Sequence, residues 1–84
     1  MNDILEYVIS ELSKKYDTET INGEKCFITK NEVFKVSYIK GLGGIIAEYA
    51  ESKGEAKKNR YEDGDVHKGD NAETILMEIL SEIE

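Results

Sequence analysis

The sequence predicts an α+β fold: a two-layer sandwich with two amphipathic helices lying on one face of an antiparallel sheet. Three observations lead there. Apolar residues recur at helical spacing near both ends of the chain, they alternate with polar residues through the middle, and only a few turn residues separate the alternating runs. Strands joined by such short turns must be antiparallel, because a parallel pair needs a crossover of roughly a dozen residues.

Ile4, Leu5, Val8, Ile9 and Leu12 fall on one helical face. Asp3 and Glu6 stand at capping-box spacing before them, and Lys14 and Lys15 suit the negative end of the helix dipole. The period then changes to two. Thr18–Ile21 reads as a weak strand, and Asn22-Gly23 as a hairpin turn, since both residues tolerate positive φ. Lys25–Thr29 and Glu32–Lys40 follow as strands, with the less favourable pair Lys30-Asn31 turning the chain between them. In the second of these, Phe34, Val36 and Tyr38 alternate with Lys35, Ser37 and Ile39, which describes one buried face. The run Gly41-Leu42-Gly43-Gly44 makes a turn into a fourth strand, Ile45–Glu51.

A short helical piece is expected around Glu55–Arg60, then a loop from Glu62 to Gly69 in which Asp63-Gly64 and Lys68-Gly69 act as turns. Asp70 and Glu73 repeat the capping-box spacing, and Ile75, Leu76, Ile79, Leu80 and Ile83 repeat the apolar face. The expected architecture is a three- or four-stranded meander with the N- and C-terminal helices packed on one face. The other face is left solvated or free for binding.

With 84 residues the chain builds one thin core, so residues 1–84 form a single domain. No apolar run is long enough to cross a membrane, and no basic start leads into an apolar leader. One cysteine, Cys26, cannot form an internal disulfide, which makes the cytoplasm the expected location.

The formal net charge of −7 argues against direct binding of nucleic acid or an anionic membrane surface. It is also unevenly placed. Residues 52–60 carry +3, whereas residues 61–84 carry −7 through eight acids against Lys68 alone. Such a segregated field either keeps a solvated surface soluble or steers a basic partner.

No catalytic set stands out. Cys26 sits in a strand, where a small buried residue is the ordinary reading, and His67 is the only imidazole. Neither supplies a zinc ligand set. Asp63 and Asp65 suggest the start of a calcium loop, but Lys68 and Thr74 stand where such a loop needs glycine and glutamate. No metal or cofactor is expected. The glycines at 41, 43 and 44 precede a strand, not the helix N-terminus that a phosphate loop requires. Among five tyrosines, Tyr49 and Tyr61 flank the reversal of charge and are candidates for a binding surface, while Tyr7 and Tyr38 suit the rim of the core.

In size, acidity and layout, with the charge-dense run Tyr61-Glu62-Asp63-Gly64-Asp65, the chain resembles small bacterial inhibitor proteins. These are the immunity proteins of nuclease toxins and phage-encoded anti-CRISPR or other anti-defence proteins. The resemblance implies a non-enzymatic inhibitor whose carboxylates occupy a basic, nucleic-acid-handling cleft of a toxin or defence effector. The residues expected to bind are Tyr49, Tyr61, Glu62, Asp63, Asp65, Asp70, Glu73 and Glu78. The alternative is a homo-oligomeric module, paired through Ile45–Glu51 or Thr18–Ile21 as an edge strand, with acidity serving solubility alone. The protein is expected to be a monomer or a homodimer.

Overall fold

A computed structural model describes residues 3–83. In chain order the elements are α1 (Asp3–Lys15), β1 (Asp17–Ile21), β2 (Glu24–Ile28), β3 (Val33–Ile39), β4 (Gly44–Ala50), α2 (Lys53–Lys57), β5 (Glu62–Lys68) and α3 (Ala72–Ile83). The five strands form one antiparallel sheet in the order β1-β2-β3-β4-β5. No described helix is long and apolar enough to cross a membrane.

The α+β class and the meander agree with the sequence, and the strand count exceeds the expected three or four by one. The extra strand is β5, formed by residues expected to be a loop. Its Asp, Gly and Lys content disfavours a strand. What overrides that preference is β4, whose first four residues, Gly44–Ala47, are all buried and which would be costly to leave as an exposed apolar edge. β5 covers that edge, pairing Ile45 with His67 and Ile46 with Val66, and a bulge between Ile46 and Glu48 absorbs the irregular acidic stretch. β4 is therefore internal, so Ile45–Glu51 is not an edge available for pairing. The edges are β1 and β5.

The β1–β2 and β3–β4 turns behave as their residues require. Asn22 and Gly23 take φ of 54° and 80°, the left-handed geometry that matches strand twist in a two-residue turn. Gly43 takes φ of 65° in the β3–β4 turn.

α1 and α3 pack together on one face of the sheet. Val8 and Leu12 of α1 meet Ile75 and Ile79 of α3 over Phe27, Phe34, Val36, Ile45 and Ala47. Phe34 is the centre: its ring stacks on Phe27 at 5.1 Å, meets Tyr16 edge-on at 5.5 Å and tilts against Tyr49 at 6.0 Å. Each such side chain contributes about 1.5–3 kcal/mol through burial.

The opposite face is half covered, not open throughout. α2 lies over one end of it, where Ala56 closes a second small core of Ile21, Cys26, Val33 and Ala50. Ser52 caps this short helix, its hydroxyl accepting from the Glu55 N–H at 3.2 Å. Asn22 fastens its other end by donating to the carbonyls of Ala56 and Lys57 at 3.2 and 3.1 Å.

Helix starts differ from the expected capping boxes. Asp3 already belongs to the first turn of α1, and α3 begins at Ala72. The cap of α3 is Asn71, whose side-chain carbonyl accepts from the Thr74 N–H at 2.9 Å, so Asp70 does not serve that role.

Candidate functional site

The acidic residues singled out in the sequence do not gather in one loop. Because residues 62–68 form an extended strand, they are drawn out along the β5 edge over roughly 20 Å. Glu62 and Asp63 lie opposite Tyr49 and Glu48, at one end of β4; Asp70 and Glu73 follow Lys68, which lies opposite Gly44 at the other end. All of these carboxylates, and Asp65 between them, are exposed.

Several acids elsewhere in the fold have local partners: Glu11 with Lys14 at 2.9 Å, Glu24 with Lys35 at 2.7 Å, Glu19 with Lys53 at 2.9 Å. Glu55 stands between Lys58 at 3.9 Å and Arg60 at 3.7 Å, which neutralises part of the basic segment. Among the described residues, Glu62, Asp63, Asp65, Asp70 and Glu73 form no ion pair. The β5 edge and the start of α3 thus bring together five carboxylates without a basic partner among the described residues. Burial lifts the Glu48 carboxyl above its ordinary range; Lys35 opposes this and neighbouring Asp63 adds to it.

At the Glu62 end the band meets a cleft of about 380 Å³ lined by Glu32, Tyr49, Glu51, Glu55, Arg60, Tyr61 and Glu62, over Ala50. Tyr49, Tyr61 and Glu62, three of the expected binding residues, are brought together here. The two tyrosines are held differently. Tyr61 lies on the α2 side of the sheet, its ring beneath Lys35 Nζ at 4.5 Å and its hydroxyl 3.6 Å from Cys26 Sγ. Burial raises its phenol well above the ordinary range, and the contact with Cys26 adds to this. Tyr49 lies toward the helices, and its hydroxyl donates to Glu82 Oε2 at 2.5 Å. Burial, then this hydrogen bond, holds its phenol protonated far into the alkaline range.

Glu82 anchors a part-buried polar cluster around the buried His67 that the sequence did not point to. Its other carboxylate oxygen lies 2.7 Å from His67 Nε2 and accepts from the Asp65 N–H at 3.3 Å. Glu78, one turn earlier, places Oε1 3.0 Å from His67 Nδ1. Glu78, expected as a binding residue, is therefore engaged within the chain, although half its side chain faces solvent. Gly64 makes room for the arrangement, since a β-carbon there would run into the Glu82 carboxylate and come within 2.9 Å of the Ala47 carbonyl. The available signal was Glu78 and Glu82 at four-residue spacing on one helix face, with a histidine in the preceding segment.

His67 and Cys26 lie on opposite faces of the sheet, the first against α3 and the second beneath α2. They cannot act as a nucleophile and its base, which need direct hydrogen-bond reach. Compared with protein-family models, curated proteins and solved structures, the chain finds no match.

Proposed function

We propose that this protein is a non-enzymatic, cytoplasmic inhibitor that docks its acidic β5 edge on a basic, nucleic-acid-handling surface of another protein, in the manner of a toxin immunity protein or a phage anti-defence protein. One observation carries the reading: the carboxylates of Glu62, Asp63, Asp65, Asp70 and Glu73 are exposed, form no ion pair among the described residues and follow one another along β5 and into α3, whereas Glu11, Glu19, Glu24 and Glu55 have basic partners. Carboxylates arrayed along an extended strand present a row of negative charge that arginines and lysines lining a phosphate path can pair with. Tyr61 and Tyr49, beside the cleft at one end, supply rigid aromatic area of the type that anchors interfaces.

The test is capture from bacterial lysate by wild type beside the variant Glu62→Gln/Asp63→Asn/Asp65→Asn. Wild type is expected to retain a nuclease or nucleoprotein effector and to suppress its activity, with association slowed by added salt; the variant does neither while keeping its fold. Equal capture and inhibition by both would remove β5 from the interface. A second reading, assembly of identical copies through β1, is favoured by that strand's having only β2 as a neighbour in the sheet. A mass by light scattering that doubles with concentration would select it.

A further inference from the structure

We propose that His67, Glu78, Glu82 and Tyr49 form a proton-holding clamp that fastens the C-terminal half of α3 to the sheet and loosens it as the pH rises. The cluster is short of hydrogen-bond donors. A neutral imidazole offers one N–H and one lone pair, and an ionised carboxylate only accepts. Here each ring nitrogen meets a carboxylate oxygen, Nδ1 with Glu78 at 3.0 Å and Nε2 with Glu82 at 2.7 Å. Both contacts are attractive only when the cluster keeps one proton more than a neutral ring with two ionised carboxylates, whichever atom carries it. The remaining neighbours supply no alternative. Tyr49 of β4 and the Asp65 N–H of β5 both donate, and both to Glu82. Ile4 of α1, Ile45 of β4 and Ile75 of α3 share the pocket beside the ring and offer no polar side chain, and Tyr38 of β3, which also lines it, is not among the ring's hydrogen-bond partners, Glu78 and Glu82. The ring is 9% exposed, so water does not take over a lost partner. Once the proton leaves, a buried lone pair faces a carboxylate, and the contacts between α3 and β5 turn from attractive to repulsive. Loss of that proton as the pH climbs therefore weakens the clamp.

Hydrogen exchange of the α3 amides, referenced to those of β3, tests it between about pH 6 and 9, the range spanning an ordinary histidine's titration. In wild type the relative protection of residues 78–83 is expected to fall by up to about tenfold for each pH unit over which one proton is released. Glu78→Gln should flatten that slope and keep the fold, because an amide can donate to a ring lone pair and removes the need for the extra proton. His67→Gln should flatten it as well; should that variant fail to fold, Glu78→Gln decides. Flat protection in wild type, or an unchanged slope in Glu78→Gln, would overturn the proposal.

Discussion

Gly64 of β5 lies directly beneath Glu82 of α3: the space a β-carbon would fill on the strand is the space the carboxylate occupies. A strand glycine usually weakens a sheet, and here its missing side chain admits the group that ties helix to strand. Gly64→Ala is therefore expected to cost about 1–3 kcal/mol, because the carboxylate and the Ala47 carbonyl must both give way. Gly41→Ala, with nothing within 4 Å of the added carbon, should stay within about 0.5 kcal/mol. Denaturant titration of the two variants checks the contrast, and equal stability would contradict the packing described.

Asp63 sits opposite Glu48 across the β4–β5 pair, so two carboxylates repel on the open face. Asp63→Asn should raise stability near neutral pH by a few tenths of a kcal/mol, since water screens the pair. The Glu48 carboxyl lies above its ordinary value of 4.5 in the fold, so the folded state binds the extra proton in the acid range. Its cost is present above that raised value and vanishes below the unfolded one, so the gain from Asp63→Asn should shrink as the pH falls toward 4.5. Melting temperatures across pH measure this. A stabilised variant that also loses partner capture would show a residue kept for binding at the expense of the fold.

Phe34 touches three aromatic rings and both helices' core. Phe34→Ala should cost about 3–5 kcal/mol, removing most of the stability of a domain whose total is on the order of 5 kcal/mol. Leu42→Ala, at an exposed turn residue, should be close to neutral. Far-ultraviolet circular dichroism on heating separates them.

Cys26 is fully buried, with Tyr61 and the Glu24 carbonyl at its sulfur. Its thiol should resist an aromatic disulfide reagent in the native protein and react as the chain opens. Tyr61→Ala should speed that reaction by at least tenfold while circular dichroism stays native. An unchanged rate would mean that Tyr61 does not guard the sulfur.

Local pattern made much of this protein legible. The apolar faces of Ile4–Leu12 and Ile75–Ile83, the alternation around Phe34 and the Asn22-Gly23 turn each contain their own instruction, because helical period, strand period and positive φ are properties of neighbouring residues. The exposed acids of the candidate binding surface were legible for the same reason, since charge is counted along the chain.

Three features were not local, and packing settled them. Glu62–Lys68 becomes a strand because β4 needs its edge covered, a demand that the residues of β5 do not carry themselves. That change draws the expected compact acidic loop into a band. Glu78 and Tyr49 are engaged within the chain because His67 and Glu82 arrive opposite them from other elements, so polar groups that read as free in the sequence enter part-buried hydrogen bonds. Gly64, which reads as a turn residue beside Asp63, is instead the gap through which α3 meets the sheet. Pattern along a chain specifies which surface each element must bury; which partner reaches a polar group depends on distances set only when the layers close.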